Sequence, residues 1–341
     1  MRAFFTEEER RHYPASYLVN GVFHPNPERP ERIDKLLAGA RAAGCAFDRP
    51  RDCGLEPILA VHEERYVSFL ENAYHRWRRI DGASDAVTPN IHPVSRSNCY
   101  PASVIAQAGW HMLDIGAPIA EHTFESARWS AAAAVAAADC VLGGERAAYA
   151  LCRPPGHHAR QDAAAGFCYF NNTAIAALRL RNKHAKVAIL DVDLHHGNGT
   201  QDIFYDRADV LTVSIHADPM RFYPFFWGAE NERGAGPGEG FNFNLPLARG
   251  ARDADFLAAL DKALGLIDAF DPGALVVALG LDAYEGDPFG GLCVTTHGFS
   301  RIGGAIAAAK RRPTVIVQEG GYLCDALGDN LAAFLTGFER A

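Results

Sequence analysis

Three residues that could bind a metal alternate within the segment AILDVDLHHGNGT, residues 188–200, which begins with an apolar run. They are Asp191, Asp193 and His195, and residues i, i+2 and i+4 of a β-strand point the same way. Two carboxylates and an imidazole on one face suit a divalent metal. A further ligand from another strand would still leave the open position that catalytic zinc needs. Asp282, which also follows an apolar run, is the best candidate for that ligand.

Polar residues of this kind follow other apolar runs as well. These residues come directly after the runs or a few positions later. They are His157 and His158 after 147–154, His216 and Asp218 after 210–215, Asp282 after 274–280, and Glu319, Gly320, Gly321 and Tyr322 after 313–318. Each group alone has a structural explanation, such as capping the next helix. In open α/β sheets, however, ligands bind outside the carboxyl ends of the strands. Five such strand ends therefore predict one shared crevice.

The elements that must position these residues alternate along the chain. Helices are predicted at 125–142, 172–184, 254–270 and 299–310, and strands at 147–154, 186–192, 210–215, 274–280 and 313–318. Continuous apolar strands alternating with helices indicate a parallel sheet covered on both faces. No break forces a second domain. We expect irregular structure at 14–32, a long loop at 80–102, and a functional aromatic loop at 217–241.

Composition excludes several classes of protein. The 341 residues carry a net charge of −8, which argues against a surface that binds nucleic acid. No apolar run is long enough to span a membrane, and the N-terminus does not resemble a signal peptide. The eight cysteines are scattered without a Cys-x2-Cys pair, so neither a zinc finger nor a disulfide scaffold is expected. We expect a cytoplasmic protein with reduced thiols.

Four motifs carry a resemblance to a known superfamily. RPPGHHA, GFCYFNN, DVDLHHGNGTQDIFY and EGGY occur in this order, and together they resemble the histone deacetylase and acetylpolyamine amidohydrolase superfamily. The resemblance runs from about residue 20 to the C-terminus. The asparagine of HHGNGTQ, the FNN segment and the long HADP loop are most similar to the bacterial acetylpolyamine amidohydrolases.

This resemblance implies a fold and its bound ions. The fold is the α/β arginase–deacetylase fold, a single parallel sheet of about eight strands between helices. It would form one catalytic domain over residues 1–341, with a loop insertion around 80–125. The implied zinc ligands are Asp193, His195 and Asp282, and iron(II) is an alternative metal in vivo. A structural potassium or sodium ion would be bound by Asp191, Asp193, His195, Ser214 and Ile215.

The resemblance also implies a reaction and a role for each site residue. Zinc would acidify a water molecule and polarise an amide carbonyl, while His158, paired with Asn198, transfers protons. Asp191 would hold His157, and Tyr322 would donate to the developing oxyanion. Gly166 would accept from the substrate amide N–H, Phe167 and Tyr223 would flank its methylene chain, and Arg32 matches a basic residue near the path of acetate release.

Two departures from the superfamily concern charge. Asn198 stands where the eukaryotic deacetylases have aspartate, so the proton affinity of His158 should differ. Tyr17 and Gly116 fall near positions where some polyamine enzymes carry acids that hold the distal ammonium. Asp114, Glu121 and Glu230 are alternative partners for that ammonium.

The expected activity is therefore removal of acetyl groups from small acetylated amines such as acetylputrescine and acetylcadaverine. The alternatives are a deacetylase of acetyl-lysine in peptides or proteins, and a non-catalytic ligand-binding homologue. An arginase-type ureohydrolase would need a second metal, and its extra carboxylates are missing after His195 and Asp282. The insertion and the aromatic loop predict a narrow entrance. The resemblance implies a homodimer, because in the polyamine branch such an insertion helps to build one.

Overall fold

An eight-stranded parallel sheet forms the centre of the computed structural model, which describes residues 1–96 and 99–341. Its strands are β1 (Arg2–Phe4), β4 (Ala46–Asp48), β5 (Ala147–Ala150), β6 (Val187–Asp191), β7 (Val210–Ala217), β8 (Asn242–Leu247), β9 (Ala274–Leu279) and β10 (Thr314–Gln318). They lie in the order β4-β1-β5-β10-β9-β6-β7-β8. Every pairing in this sheet is parallel, so all carboxyl ends reach the same edge.

Helices cover both faces of the sheet, because its central strands are apolar on both sides. In β6, Val187 and Ile189 belong to one buried cluster, whereas Ala188 and Leu190 belong to the other. The first cluster contains residues of α2 (Glu56–Leu59), α3 (Glu64–Trp77), α4 (Val104–His111), α5 (Thr123–Leu142), α6 (Asn172–Arg181) and α7 (Asn198–Phe204). The second contains residues of α1 (Glu31–Ala42), α8 (Asp253–Phe270), α9 (Thr296–Ala308) and α10 (Leu327–Arg340).

The predicted α/β fold with a parallel sheet between helices is confirmed, and most predicted elements shift by only a few residues. Local chemistry explains some of the helix boundaries. The Asn171 side chain accepts from the N–H of Ala174 at the start of α6. Thr295 does the same for Gly298 at the start of α9, so this helix begins three residues earlier than predicted. The short strands β1 and β4 and the strand β8 are additional to those predicted.

The expectation of irregular structure at 14–32 is wrong for part of this segment. An antiparallel hairpin forms from β2 (Ser16–Val19) and β3 (Val22–Pro25). The two turn residues, Asn20 and Gly21, both have positive φ. Asn-Gly is the dipeptide that favours such two-residue hairpin turns, so the signal was present in the sequence. The hairpin brings Tyr17 to the functional cavity described below.

The segment expected to form the loop insertion is only partly irregular. Residues 97 and 98 of the predicted loop lie outside the described residues. Among the described residues of 80–102 there is neither helix nor strand, but an isolated bridge joins Val87 to Ile119. Helix α4 and the start of α5 lie in the rest of the interval 80–125, and residues 112–122 between them form turns, bends and isolated bridges. Across the described residues, no helix is both long and apolar enough to cross a membrane.

Candidate active site

Three buried side chains converge at the carboxyl ends of β6 and β9, which are neighbouring strands. Asp193, His195 and Asp282 each offer one ligand atom, and these atoms all lie within 4.8 Å of one another. The Nδ1 atom of His195 is 3.3 Å from Asp193 Oδ1 and 3.1 Å from Asp282 Oδ2. The structure therefore brings together the three residues that were predicted to bind the catalytic metal.

Backbone amides hold the two carboxylates of this group in place. The N–H of Gly320 donates to Asp193 Oδ2 at 2.8 Å, and the N–H of Leu194 donates to Asp282 Oδ1 at 3.0 Å. A side chain at position 320 would not fit, because its Cβ would lie 2.6 Å from Asp193 Oδ2 and still closer to Asp282 Oδ2. The first glycine of the EGGY motif thus lets the chain after β10 close over the two aspartates.

The electrostatics of this group fit a bound cation. Burial lowers the pKa of His195, but its bonds to Asp193 and Asp282 outweigh burial and raise it to about 9. Burial, followed by the charge of Asp193, raises the pKa of Asp282. Two buried carboxylates side by side are costly unless a positive charge is shared between them. A divalent metal would supply that charge, and the Asp-His-Asp donor set suits one.

The two tandem histidines lie beside this group and differ in their partners. His157 Nδ1 is 3.0 Å from Asp191 Oδ2, and His158 Nδ1 is 2.7 Å from Asn198 Oδ1. Burial lowers the pKa of His157, but the charges of Asp193 and Asp191 outweigh it and raise that pKa to about 10. For His158, burial and the charges of His157 and His195 hold the pKa well below its usual value.

These partners give the two imidazoles different protonation states. A neutral His158 whose Nδ1–H donates to Asn198 leaves Nε2 as an acceptor, because a neutral imidazole has one donor and one acceptor nitrogen. His158 lines the cavity, so this nitrogen is available to accept a proton there. His157 instead keeps its proton beside Asp191.

Tyr322 follows β10 and lines the same cavity. Its ring lies 5.0 Å from the Arg32 guanidinium carbon and 4.6 Å from the Phe289 ring. Its backbone N–H donates to Asp287 Oδ2 at 2.9 Å. Burial, followed by the charge of Asp282, holds the pKa of the Tyr322 hydroxyl well above its usual value. The phenol is therefore protonated and can act as a hydrogen-bond donor.

Arg32 is buried and supports the segment that carries Tyr322. It donates from Nε to the Gly321 carbonyl at 2.6 Å and from Nη2 to the Glu319 carbonyl at 2.9 Å. Its Nη1 atom donates to Glu28 Oε1 at 2.6 Å. Arg32 therefore lies against the ring of Tyr322 and also bonds the backbone carbonyl of the residue before it.

Glu319 links the EGGY motif to the tandem histidines. One carboxylate oxygen accepts the N–H groups of Gly156 and His157 at 2.6 and 3.0 Å, and the other accepts the Thr173 hydroxyl at 2.6 Å. Glu319 also forms a second group of potential metal ligands with His157 and Cys168. Both of its oxygens are already engaged by donors, so we interpret this group as a structural one.

A cavity of about 390 Å³ opens onto these residues. Phe167 and Tyr223 line it, and the ring centroids of His158 and Tyr223 lie 4.9 Å apart. Gly166 lines it as well, at the position predicted to accept from a substrate amide. A larger surface groove of about 650 Å³ beside β1 and β4 contains none of the predicted site residues and is lined by arginine–carboxylate pairs, so we place the site in the smaller cavity.

The residues predicted to hold a monovalent ion lie in β6 and β7 or directly after β6. Asp191 at the end of β6 is the register partner of Ser214 in β7. Ser214 and Ile215 are both buried, and the Ser214 hydroxyl lies 2.8 Å from His216 Nδ1. Asp191, Ser214 and Ile215 thus lie in two adjacent strands, and Asp193 and His195 follow the first of them.

The residues considered in the sequence for contact with a distal ammonium group divide into two groups. Asp114, Tyr17 and Gly116 line it, whereas Glu121 and Glu230 are exposed and do not line it. Asp114 accepts from the Tyr223 hydroxyl at 2.5 Å and from the N–H of Gly116 at 2.8 Å. Burial raises the pKa of this carboxyl group.

Sequence reasoning missed two carboxylates that organise the site, and it did not single out Arg221 in the cavity wall. Glu319 was noted only as part of a motif, although it fixes the backbone before His157. Asp287 was not considered, yet it accepts from the N–H groups of Phe289 and Tyr322, both at 2.9 Å. No local pattern marks these roles, because the amides of Gly156, His157 and Tyr322 are distant in sequence from the carboxylates that accept from them.

The fold and this site define an α/β enzyme with a candidate metal group at the carboxyl edge of its sheet. The model of the histone deacetylase domain matches residues 26–338. The chain is 48% identical to the acetylpolyamine amidohydrolase of Burkholderia pseudomallei, over 99% of this chain and 98% of that protein. It is 40% identical to the acetylpolyamine amidohydrolase of Mycoplana ramosa, over 99% of each.

A solved structure gives the same result. The crystal structure of an acetylpolyamine aminohydrolase from Burkholderia pseudomallei superimposes with a TM-score of 0.96, at 48% identity, covering 99% of this chain and 98% of that one. The chain therefore belongs to the histone deacetylase family. It is a hydrolase of that family, whose members are typically metal-dependent.

Proposed function

We propose that this enzyme hydrolyses the amide bond of small acetylated amines, with acetylputrescine and acetylcadaverine as representative substrates. One observation carries the proposal: the His158 imidazole, the Tyr322 phenol and a buried Asp-His-Asp group meet at one cavity with aromatic walls. The names of the full-length relatives support the acetylpolyamine class.

Asp193, His195 and Asp282 would hold the metal, which we propose to be zinc, with iron(II) as the alternative in vivo. When bound there, a divalent ion supplies Lewis acidity toward the amide carbonyl and toward water. The open side of the group faces the cavity, since His195 is one of the cavity-lining residues. We propose a potassium or sodium ion at Asp191, Asp193, His195, Ser214 and Ile215.

Side chains of the protein would then accept and donate the protons of the reaction. His158 Nε2 accepts a proton from the attacking water, whose oxygen forms the new bond to the carbonyl carbon. The Tyr322 hydroxyl donates to the oxygen that becomes negative. His158 returns the proton to the departing nitrogen as the C–N bond breaks, so the products are acetate and the free amine. His157, held by Asp191, provides a fixed positive charge beside His158.

The remaining cavity residues would position the substrate. Phe167 and Tyr223 flank the methylene chain, and the Gly166 carbonyl accepts from the amide N–H. Of the three alternative acids, we propose Asp114 as the partner of the distal ammonium, because it lines the cavity and Glu121 and Glu230 do not.

We propose that residues 1–341 act as one catalytic domain within a homodimer. Large apolar side chains are exposed on the hairpin, on the 80–102 segment and on the aromatic loop; they include Phe23, Ile91, Val94, Met220 and Phe226. We propose that these side chains contribute to a dimer interface, since apolar surface that forms a contiguous patch marks sites of association. Light scattering at micromolar concentration tests this, and a monomer mass would contradict it.

Acetate release by the zinc-loaded protein tests the proposed activity. Acetylputrescine, acetylcadaverine and an acetyl-lysine peptide are compared in potassium buffer. We expect turnover of the small amines and little turnover of the peptide. Equal efficiency on the peptide would instead indicate a lysine deacetylase. Absence of turnover with zinc bound would contradict the proposal and favour a ligand-binding role.

A further inference from the structure

The cavity is lined by one arginine and one aspartate, whose order along the substrate path is set by the fold. Among the described residues that line it, Asp114 is the only carboxylate and Arg221 is the only arginine or lysine. Asp114 contacts Gly166 and Tyr223, next to the reacting end of the cavity. Arg221 lies on the aromatic loop and is exposed.

Arg221 belongs to the outer part of the cavity. Its chain neighbour Met220 is 80% exposed, and Phe225, which also lines the cavity, is 53% exposed. Within residues 1–96 and 99–341, no carboxylate forms an ion pair with Arg221. Arg2, Arg128 and Arg179, on another part of the surface, are paired in this way. Arg221 thus carries its positive charge at the entrance without an ion-pair partner among the described residues.

We propose that Arg221 is a specificity-determining residue that disfavours acetylated amines with a second ammonium group farther along the chain. This inference rests on the proposed function and deepens it. The first ammonium of a short diamine reaches Asp114, whose negative charge attracts it. A longer polyamine must place its next ammonium at the entrance, where the guanidinium repels it. The enzyme would then distinguish substrates by the position of their positive charges. The attractive Asp114 carboxylate lies inside the cavity, and the repulsive Arg221 guanidinium lies at its entrance.

The size of the effect follows from the exposure of Arg221. Two like charges a few ångströms apart in a water-like medium repel by an amount that corresponds to about three- to fivefold in an equilibrium constant. Removing the charge should recover about that factor, and reversing it should give about tenfold. Because the pair is exposed, the effect should shrink when ionic strength rises from about 0.1 M to about 1 M.

The experiment compares kcat/KM for acetylputrescine with that for an acetylspermidine, which carries the additional ammonium. The wild-type enzyme should prefer acetylputrescine. The preference should fall about three- to fivefold in Arg221→Ala and about tenfold in Arg221→Glu, mainly through KM, and it should persist in Arg221→Lys. Arg301→Glu, an equal change of net charge on an exposed residue of α9 that does not line the cavity, is the matched control and should leave the ratio unchanged.

A neutral analogue, N-butylacetamide, separates this inference from the proposed function. Its kcat/KM should vary less than about twofold among the Arg221 variants, because it has no distal charge. If the wild-type enzyme hydrolyses the acetylated amines but the substrate ratio is the same in Arg221→Glu, the inference is wrong and the proposed function stands. If the wild-type enzyme hydrolyses none of the three substrates, the proposed function itself fails.

Discussion

The Nδ1 atom of His158 lies 2.7 Å from the side-chain oxygen of Asn198, which begins α7. An amide oxygen fixes the tautomer of the imidazole without adding a negative charge. A carboxylate at the same place would favour the imidazolium form. The pairing therefore keeps His158 neutral beside two other histidines, and this state is the one required of a proton acceptor.

Replacing Asn198 by aspartate should raise the proton affinity of His158. We expect the acid limb of the kcat/KM profile of Asn198→Asp to move toward higher pH by about one unit or more, because an opposite charge at hydrogen-bond distance stabilises the protonated imidazole. The measurement is the pH dependence of kcat/KM for acetylputrescine. Asn198→Ala, which supplies no acceptor, serves as the comparison and should lower kcat without this displacement. Superimposable acid limbs for wild type and Asn198→Asp would contradict the assignment of His158 as the base.

Removing one hydroxyl group should separate catalysis from metal binding. Tyr322→Phe should reduce kcat by about 10²–10³, a loss typical of one oxyanion donor. The metal content, measured by atomic absorption, should stay equal to that of the wild-type protein, because Tyr322 is not one of the three ligand residues. Near-normal turnover would remove Tyr322 from its proposed role.

Two buried aspartates that follow β9 should respond differently to the same substitution. Asp282→Asn should bind metal at least about tenfold more weakly, because the site loses a charged ligand. Asp287→Asn is the matched control: it should keep its metal, but with a lower kcat, because Asp287 bonds the backbone of Tyr322. Metal titration and kcat are measured on both variants. Stoichiometric metal of unchanged affinity in Asp282→Asn would show that this ligand is wrongly assigned.

His62, which is not one of the metal-ligand residues, should contribute to acid sensitivity. It is buried, it accepts the N–H of Asn171 at 2.9 Å, and burial lowers its pKa to about 4 from 6.5. Between these values the unfolded chain binds more protons than the folded one, so stability falls as pH falls. At pH 5 the loss is about 2 kcal/mol, whereas above the unfolded pKa it vanishes.

Thermal unfolding of wild type and His62→Gln at about pH 7 and about pH 5 checks this contribution. Glutamine can still accept from Asn171 but does not titrate, so Tm should fall by a few degrees less in the variant than in the wild type. His12 and His216 are also buried with lowered pKa values. Both remain in the two proteins, so their contributions to the pH dependence of stability cancel in the comparison. An equal fall in Tm for the two proteins would count against His62 as a source of acid sensitivity.

The sequence by itself determined the class of fold, and it predicted most of the residues that the structure brings together at the candidate site. Apolar runs that alternate with helical periodicity require a parallel sheet covered on both faces. The close spacing of Asp191, Asp193 and His195 already groups these residues, although β6 ends at Asp191 and the other two follow it. Patterns of this kind are local, so they can be read without coordinates. The pairing of β6 with β9, which brings Asp282 to them, is seen only in the structure.

Tertiary structure alone decided which distant groups support that set. Glu319 holds the backbone at His157, and Asp287 holds the backbone at Tyr322. Asp114 and Arg221 meet at one cavity although they are far apart in the chain. These relationships arise where loops from several strand ends meet. No periodic pattern in the sequence marks which backbone amides and which single charged residues will lie together there. A local pattern therefore predicts the metal ligands, whereas the order of charges along the cavity exists only in the folded chain.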